Sequence, residues 1–149
     1  MKKKVFISVP LKGRSKKEIE DSIEKIKGAT EELLGKDLEF VHGELKDIPD
    51  FNNNKEDVKD SLLYLSKEVE LMADADYLAT ISEGWDYRRC SIEKDIFRRY
   101  KAKNWPEERD IVLEFSLNII CPDLIKKERE KAKKLWGKDS LVAEEGKAD

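Results

Sequence analysis

Short β-rich apolar segments alternate along this chain with segments whose apolar residues recur at helical spacing. Lys4 to Val9 is apolar on both faces, as expected of a buried parallel strand, and Leu38 to His42 and Tyr77 to Ile81 predict two more strands. Asp110 to Phe115 predicts a fourth, and Leu117 to Ile120 is a candidate fifth. The alternation predicts an α/β fold, namely a three-layer flavodoxin-like or Rossmann-like sandwich with a mainly parallel sheet of four to five strands.

Helical segments separate the predicted strands. The first begins at a capping box, in which Ser15 is the N-cap and the side chain of Glu18 reaches back to it. Its apolar stripe predicts a buried face formed by Ile19, Ile23, Ile26 and Leu33. A second helix is predicted from about Lys55 to Ala73, with an inward stripe of Val58, Leu62, Leu65, Val69 and Met72.

The last part of the chain predicts two more helices. A third helix is predicted from Ser91 to Ala102, with Ile92, Ile96 and Tyr100 facing inward. Pro122 suits the first turn of a charged helix over roughly Asp123 to Trp136, which we expect at the surface or in a subunit contact. Residues 1–136 are therefore predicted to form a single domain and residues 137–149 a frayed tail.

Composition argues against several classes of partner. The 149 residues include 30 Lys and Arg against 33 Asp and Glu, so a formal net charge of -3 gives no reason to expect nucleic acid or an anionic membrane as a partner. No apolar run is long enough to cross a bilayer. Cys90 and Cys121 have neither metal nor redox spacing, and without a secretory signal we expect a cytoplasmic protein with reduced thiols and no metal or other cofactor.

Two glutamates are candidate catalytic residues. Glu93 is predicted near the start of the third helix, where the helix dipole keeps a carboxylate ionised and directs it towards the carboxyl ends of the strands. Glu68 is predicted near the end of the second helix, on the other side of the third strand. Each alone is typical of a solvated helix glutamate, but together the two suit a nucleophile and a general acid.

Other polar and aromatic side chains near the same sheet edge are candidate ligand contacts. Lys12, Gly13 and Arg14 precede a helix N-terminus and suit a phosphate site, although an ordinary turn with solvated cations explains them as well. Trp85 and Tyr87 suit contacts to a flat base or a sugar, or packing at the core edge. The remaining two candidates are His42 and Arg88. A solvated loop histidine explains His42 as well, and pairing with Asp86 explains Arg88 as well.

The order and spacing of these segments carry a resemblance. The chain resembles the nucleoside 2-deoxyribosyltransferase superfamily in three successive segments. They are Lys4-Val-Phe-Ile-Ser-Val-Pro-Leu-Lys-Gly13, then Glu68 eight residues before Asp76, then Gly84-Trp-Asp-Tyr-Arg-Arg-Cys-Ser-Ile-Glu93. The similarity covers about residues 4 to 102 and is greatest to the small proteins of that superfamily and to deoxynucleotide N-glycosidases.

The resemblance implies roles for individual residues. Glu93 matches the nucleophile that attacks the anomeric carbon of a 2-deoxyribosyl unit, and Glu68 matches an aspartate that assists departure of the base. The implied substrate contacts are Ser8, Pro10, Lys12, Gly13 and Arg14 after the first strand, and Gly84, Trp85, Tyr87 and Arg88 in the Gly-Trp loop. The resemblance also implies a small nucleoside or nucleotide ligand and a homodimer or higher homo-oligomer, with the charged last helix and the loop from Gly43 to Asn54 as candidate contacts.

Three departures from the family pattern affect the predicted chemistry. Val9 stands where Gly is usual, Glu68 replaces Asp, and Arg89 with Cys90 replaces small residues before the nucleophile. A bulky Arg89 narrows the sugar pocket or recruits a phosphate. Two alternatives therefore remain open beside an enzyme: a non-catalytic nucleotide-sensing module on the same fold, and a structural or interaction protein.

Overall fold

A single parallel sheet organises the molecule. The computed structural model describes residues 2–48, 58–83, 87–101 and 111–148, with side chains as far as residue 136. Four strands lie in the order β2-β1-β3-β4 and all pairs are parallel. Their bounds are β1 Lys3–Ile7, β2 Leu38–Val41, β3 Tyr77–Ile81 and β4 Val112–Phe115.

Helices cover both faces of this sheet. They are α1 Lys16–Leu34, α2 Val58–Met72, α3 Arg88–Lys101, α4 Leu117–Ile120 and α5 Pro122–Ala148. Val5 and Ile7 of β1 face the cluster that includes α1 and α4, whereas Phe6 faces Met72 of α2 and Phe97 of α3. Both faces of β1 are therefore buried, which explains its continuous apolar run and confirms the predicted three-layer α/β sandwich.

The first helix begins at the predicted capping box. Ser15 Oγ accepts a hydrogen bond from the N–H of Glu18 at 3.2 Å, and Glu18 Oε1 accepts one from the N–H of Ser15 at 2.8 Å. Gly35 ends the helix with φ of 93°, a conformation that favours glycine. The expectation that Leu33 is buried is wrong, because the buried stripe continues through Thr30 and leaves Leu33 63% exposed.

The buried faces of α2 and α3 differ from the predicted apolar stripes. Val58 and Leu62 are 71% and 59% exposed, and Tyr100 is 83% exposed. Met72 is buried as predicted, but the other side chains that face the sheet are Tyr64 and Glu68 of α2 and Cys90, Glu93, Lys94 and Phe97 of α3. The prediction assumed that charged residues stay in water. Here the buried charges pair with one another, which offsets the cost of removing them from water.

The segment after β4 also differs from prediction. Leu117 to Ile120, the candidate fifth strand, forms the helix α4, because Leu117 and Ile120 at a spacing of three both pack into the cluster beside α1. A carboxylate oxygen of Glu83 accepts the N–H of Leu117 at 3.0 Å and caps this short helix.

The last helix is longer than predicted. Its backbone is helical to Ala148, whereas the sequence predicts a frayed tail from Gly137. One glycine costs a helix only about 1 kcal/mol, and the residues that follow are mostly good helix formers. No helix of the described part of the chain is both long and apolar enough to span a membrane.

A buried ion pair attaches α5 to α1. The side chain of Arg14 is fully buried and donates hydrogen bonds to both carboxylate oxygens of Asp123, at 2.8 and 2.9 Å. The same guanidinium also donates to the carbonyls of Pro10 and Glu18 and to Ser22 Oγ. The contacts to Asp123 join the start of α1 to the start of α5, and the others fix the guanidinium against the first turns of α1.

We predict that Arg14→Ala lowers the free energy of unfolding by about 1–3 kcal/mol, because it removes a fully buried guanidinium and leaves Asp123 with only Lys127, at 3.7 Å, as a cationic partner. Arg14→Lys should recover only part of this loss, since an ammonium cannot form the bidentate pair. Urea unfolding followed by circular dichroism measures both. Arg129→Ala, a matched change at an exposed position of α5, should change stability by less than about 0.5 kcal/mol; equal losses at Arg14 and Arg129 would contradict the role of the ion pair.

Candidate active site

The topology of the sheet selects one edge for a ligand. From β1 the chain passes through α1 to β2 on one side, and from β3 it passes through α3 to β4 on the other side. The carboxyl ends of β1 and β3 therefore form the switch point at which open α/β sheets bind ligands. Ser8, which follows β1 directly, lies there and donates its N–H to the carbonyl of Ala79 at 3.0 Å.

The structure brings Glu68 and Glu93 together at this switch point. Both side chains are buried, and Arg89 Nη1 donates to Oε1 of each at 2.5 Å. Those two oxygens are therefore no more than about 5 Å apart. Such a close approach favours one protonated and one ionised carboxyl group, a pair that can act as an acid and a nucleophile.

Each glutamate has a different set of neighbours. Ser8 Oγ donates to Glu93 Oε1 at 2.7 Å, so that oxygen accepts both a hydroxyl and the guanidinium. Burial raises the pKa of Glu68 to about 8; the Arg89 cation opposes this shift and the Glu93 charge adds to it. Burial also raises the pKa of Glu93, against the opposing effects of Arg89 and the Ser8 hydroxyl. Because Glu93 has the additional donor, we place the charge on Glu93 and the proton on Glu68 at neutral pH.

Arg89 is held by more than the two carboxylates. Its Nη2 donates to the carbonyl of Val9, and its guanidinium lies 5.8 Å from the centre of the Tyr64 ring. The negative charges around it raise the pKa of Arg89 even though burial opposes this, so it stays a cation. Burial raises the pKa of Tyr64, and it raises that of Cys90 to about 11, so both remain neutral.

Two buried oxygens near this cluster have no hydrogen-bond partner among the described residues. They are Glu93 Oε2 and Thr80 Oγ1. Phe6 pairs with Leu78, so Thr80 and Ser8 follow on the same face of the sheet, towards α2 and α3. Nothing in the sequence marks Thr80 as a site residue, because one threonine in an apolar strand carries no signal of its own.

A cleft of about 450 Å³ lies outside the carboxylate pair, between the loop after β1 and the helices α2 and α3. Its lining combines cations with apolar and aromatic surface, chiefly Lys12, Arg88, Arg89, Leu62, Leu65 and Tyr87. No acidic residue is among the described residues of this lining. The cleft therefore suits a ligand with an anionic group and a flat or apolar part.

Most predicted contact residues lie at this cleft or behind it. Pro10, Lys12, Tyr87 and Arg88 line the cleft, and Ser8 lies behind it against Glu93. His42 lines a small inner cavity with Glu68 and Arg89, and its Nδ1 is 3.0 Å from the carbonyl of Gly43.

Other predicted contacts have different surroundings. Arg14 is occupied by Asp123, and Gly13 accepts a hydrogen bond from Lys127 Nζ at 2.7 Å through its carbonyl. The structure therefore gives Arg14 a role in joining helices instead of one in holding phosphate. Gly84 and Trp85 lie outside the described residues.

Comparison with protein-family models, with curated proteins and with solved structures finds no match for this chain. The resemblance to the nucleoside 2-deoxyribosyltransferase superfamily therefore stays a prediction. The fold and the geometry of the carboxylate cluster are the observations on which a functional proposal can rest.

We predict that stability falls as the pH rises from about 4.5 to 8. The folded-state pKa of Glu68 lies above its ordinary value of 4.5. Its stabilising contribution is therefore complete below pH 4.5 and is lost as the pH rises through the folded value, by an amount on the order of a few kcal/mol. Glu68→Gln should flatten this dependence, and Glu70→Gln, at an exposed position of the same helix, should leave it unchanged. Urea unfolding at several pH values tests this, and a profile that does not respond to Glu68→Gln would contradict the assignment.

Proposed function

We propose that this protein is an N-glycosidase or 2-deoxyribosyltransferase-like enzyme that cleaves or exchanges the base of a small deoxynucleoside or nucleotide. The observation that carries the proposal is the buried pair Glu68 and Glu93, which meet on one guanidinium at the switch point of the sheet and are unequal in their hydrogen bonds. Two carboxyl groups in different surroundings suit an acid and a nucleophile.

The chemistry that we propose uses both groups. A Glu93 oxygen forms a bond to the anomeric carbon while the bond from that carbon to the base nitrogen breaks, and the Glu68 proton passes to the departing base. Water or a second base then displaces Glu93 from the sugar and gives its proton to Glu68. In the transition states on either side of this intermediate, the partial negative charge on Glu93 stabilises the developing positive charge on the sugar.

The adjoining cleft supports a nucleoside or nucleotide as the ligand. Its volume of about 450 Å³ lies within the range usual for small-molecule sites. Leu62, Leu65 and Tyr87 offer a surface for the base, and Lys12 with Arg88 offers cations for a phosphate. We further propose that the protein works in the cytoplasm, where its free thiols, Cys90 and Cys121, stay reduced.

We expect Glu93→Gln to lower base release on the order of 10³-fold or more, because an amide neither attacks the anomeric carbon nor stabilises its charge. Glu68→Gln should cost about 10²-fold with poor leaving bases and less with good ones. Chromatography of free bases released from deoxynucleosides and their monophosphates measures both effects. Glu70→Gln is the matched control and should be silent. Release that persists unchanged in Glu93→Gln would remove the nucleophile assignment.

A second candidate is a non-catalytic nucleotide-sensing module. The observation that favours it is the ion pair of Arg89 with both glutamates, which occupies one oxygen of each carboxyl group. Such a module binds nucleotides at the cleft but releases no base from any of them. Nucleotide binding by the unmodified protein without release from any of the tested nucleosides and nucleotides would therefore favour this function.

We also propose that the protein forms a homodimer. Val58 and Leu62 of α2 and Ile92 of α3 line the cleft, yet they are 71%, 59% and 38% exposed. A second copy packed here would cover apolar surface and enclose the cleft.

Sedimentation velocity at micromolar concentration should therefore give the mass of a dimer. Leu62→Asp should shift the protein to monomer, because the new charge would lie within the apolar contact. Leu33→Asp is the matched control, since Leu33 is 63% exposed on α1, across the sheet, and should leave the dimer intact. Monomer mass alone for the unmodified protein would contradict the proposal.

A further inference from the structure

Arg89 separates the cleft from the carboxylate pair. Its side chain lines the cleft on one side and the small inner cavity on the other. Glu68 lines only the inner cavity, and Glu93 has no exposed surface. A ligand in the cleft therefore contacts Arg89 first, and the nucleophile becomes accessible only when that guanidinium moves.

The groups that hold Arg89 come from every element around it. They are Tyr64 and Glu68 of α2, Glu93 of α3, and the carbonyl of Val9 after β1. Moving Arg89 away leaves the negative charge of Glu93 buried without a cation, stabilised by the Ser8 hydroxyl and the protonated Glu68 alone, which is unfavourable unless something replaces the lost ion pair.

An anion in the cleft provides that replacement. Lys12 and Arg88 make no ion pair within the described part of the chain, so the cleft carries an excess of positive charge. A phosphate offers Arg89 a bidentate acceptor at least as strong as a carboxylate. An uncharged nucleoside offers no such partner.

We propose that Arg89 is a specificity-determining gate, which covers Glu93 in the free protein and moves onto the anionic group of a ligand bound in the cleft. This inference rests on the proposed function and names its substrate class: nucleotides with a phosphate are processed, and the parent nucleosides are not. Lys12 and Arg88 first hold the phosphate at the mouth of the cleft, and Arg89 then exchanges its carboxylate partners for phosphate oxygens.

The gate has a readout that does not depend on catalysis. When Arg89 leaves, the carboxyl pair loses its cation, so both groups should titrate at higher pH. Carbon-13 NMR of the glutamate carboxyl groups can follow this with inorganic sulfate as the anion, because sulfate itself does not titrate between pH 4 and 9. We expect saturating sulfate to raise the titration midpoint of the pair by about one pH unit or more.

Two neighbouring arginines provide the matched comparison. Arg89→Gln should show the raised midpoint without sulfate and no further shift with it. Arg88→Gln should keep the unmodified midpoint without sulfate and bind sulfate about tenfold more weakly. Arg89→Lys keeps the cation, so sulfate should shift the titration midpoint of the carboxyl pair by a smaller amount. This variant replaces Arg89→Gln in the comparison if circular dichroism shows that Arg89→Gln is unfolded. Sulfate that binds without moving the midpoint, or that does not bind at all, would overturn the gate.

Kinetic measurements on nucleotides and nucleosides test the substrate class separately. For the unmodified protein we expect kcat/KM for a deoxynucleoside monophosphate to exceed that for its nucleoside by about 100-fold or more. In Arg89→Gln this ratio should fall to about tenfold or less, chiefly because the nucleoside improves. An unchanged ratio would overturn the gate. If no base is released at all, the proposed function fails, and the sulfate titration still decides whether Arg89 moves.

Discussion

The contact of Arg89 with Glu68 and Glu93 is the interaction on which the arrangement of α2 and α3 depends. One guanidinium faces two buried carboxyl groups, so a single proton makes the cluster neutral. Ser8 fixes where the remaining negative charge lies, since it donates to Glu93 and not to Glu68. An asymmetric pair of carboxyl groups arises in this way from one serine, one arginine and the burial of both glutamates.

Burying this cluster determines which sides of the helices face the sheet. Glu68 and Glu93 point inward together with Tyr64, Met72 and Phe97, so other apolar side chains of α2 and α3 are turned outward. The resulting exposed surface lies beside the cleft. The polar interior and the apolar exterior of these helices are therefore two consequences of one set of contacts, and both are found at the same sheet edge.

The sequence predicted the fold well because parallel strands buried on both sides have a strong signal. β1, β2, β3 and β4 and the capped start of α1 are found within a few residues of their predicted bounds. Periodicity predicted the wrong inward faces for α2 and α3, because it assigns buried charges to the surface whatever their partners. It could not show the partner of Arg14 either, since Asp123 lies 109 residues away.

For the site, spacing predicted which residues follow the strands but not how they contact one another. That Glu68 and Glu93 meet depends on the register of β1 with β3 and on the packing of α2 beside α3, which no local pattern determines. Local sequence patterns also fail to predict the contacts of Arg89. In sequence it is a bulky residue four positions before a glutamate, typical of a solvated helix pair worth about 0.5 kcal/mol at most. In the folded protein the same spacing places its guanidinium between two buried carboxyl groups and beside a cation-rich cleft. Such a residue has two competing sets of partners, and the charge of the ligand decides which set it binds.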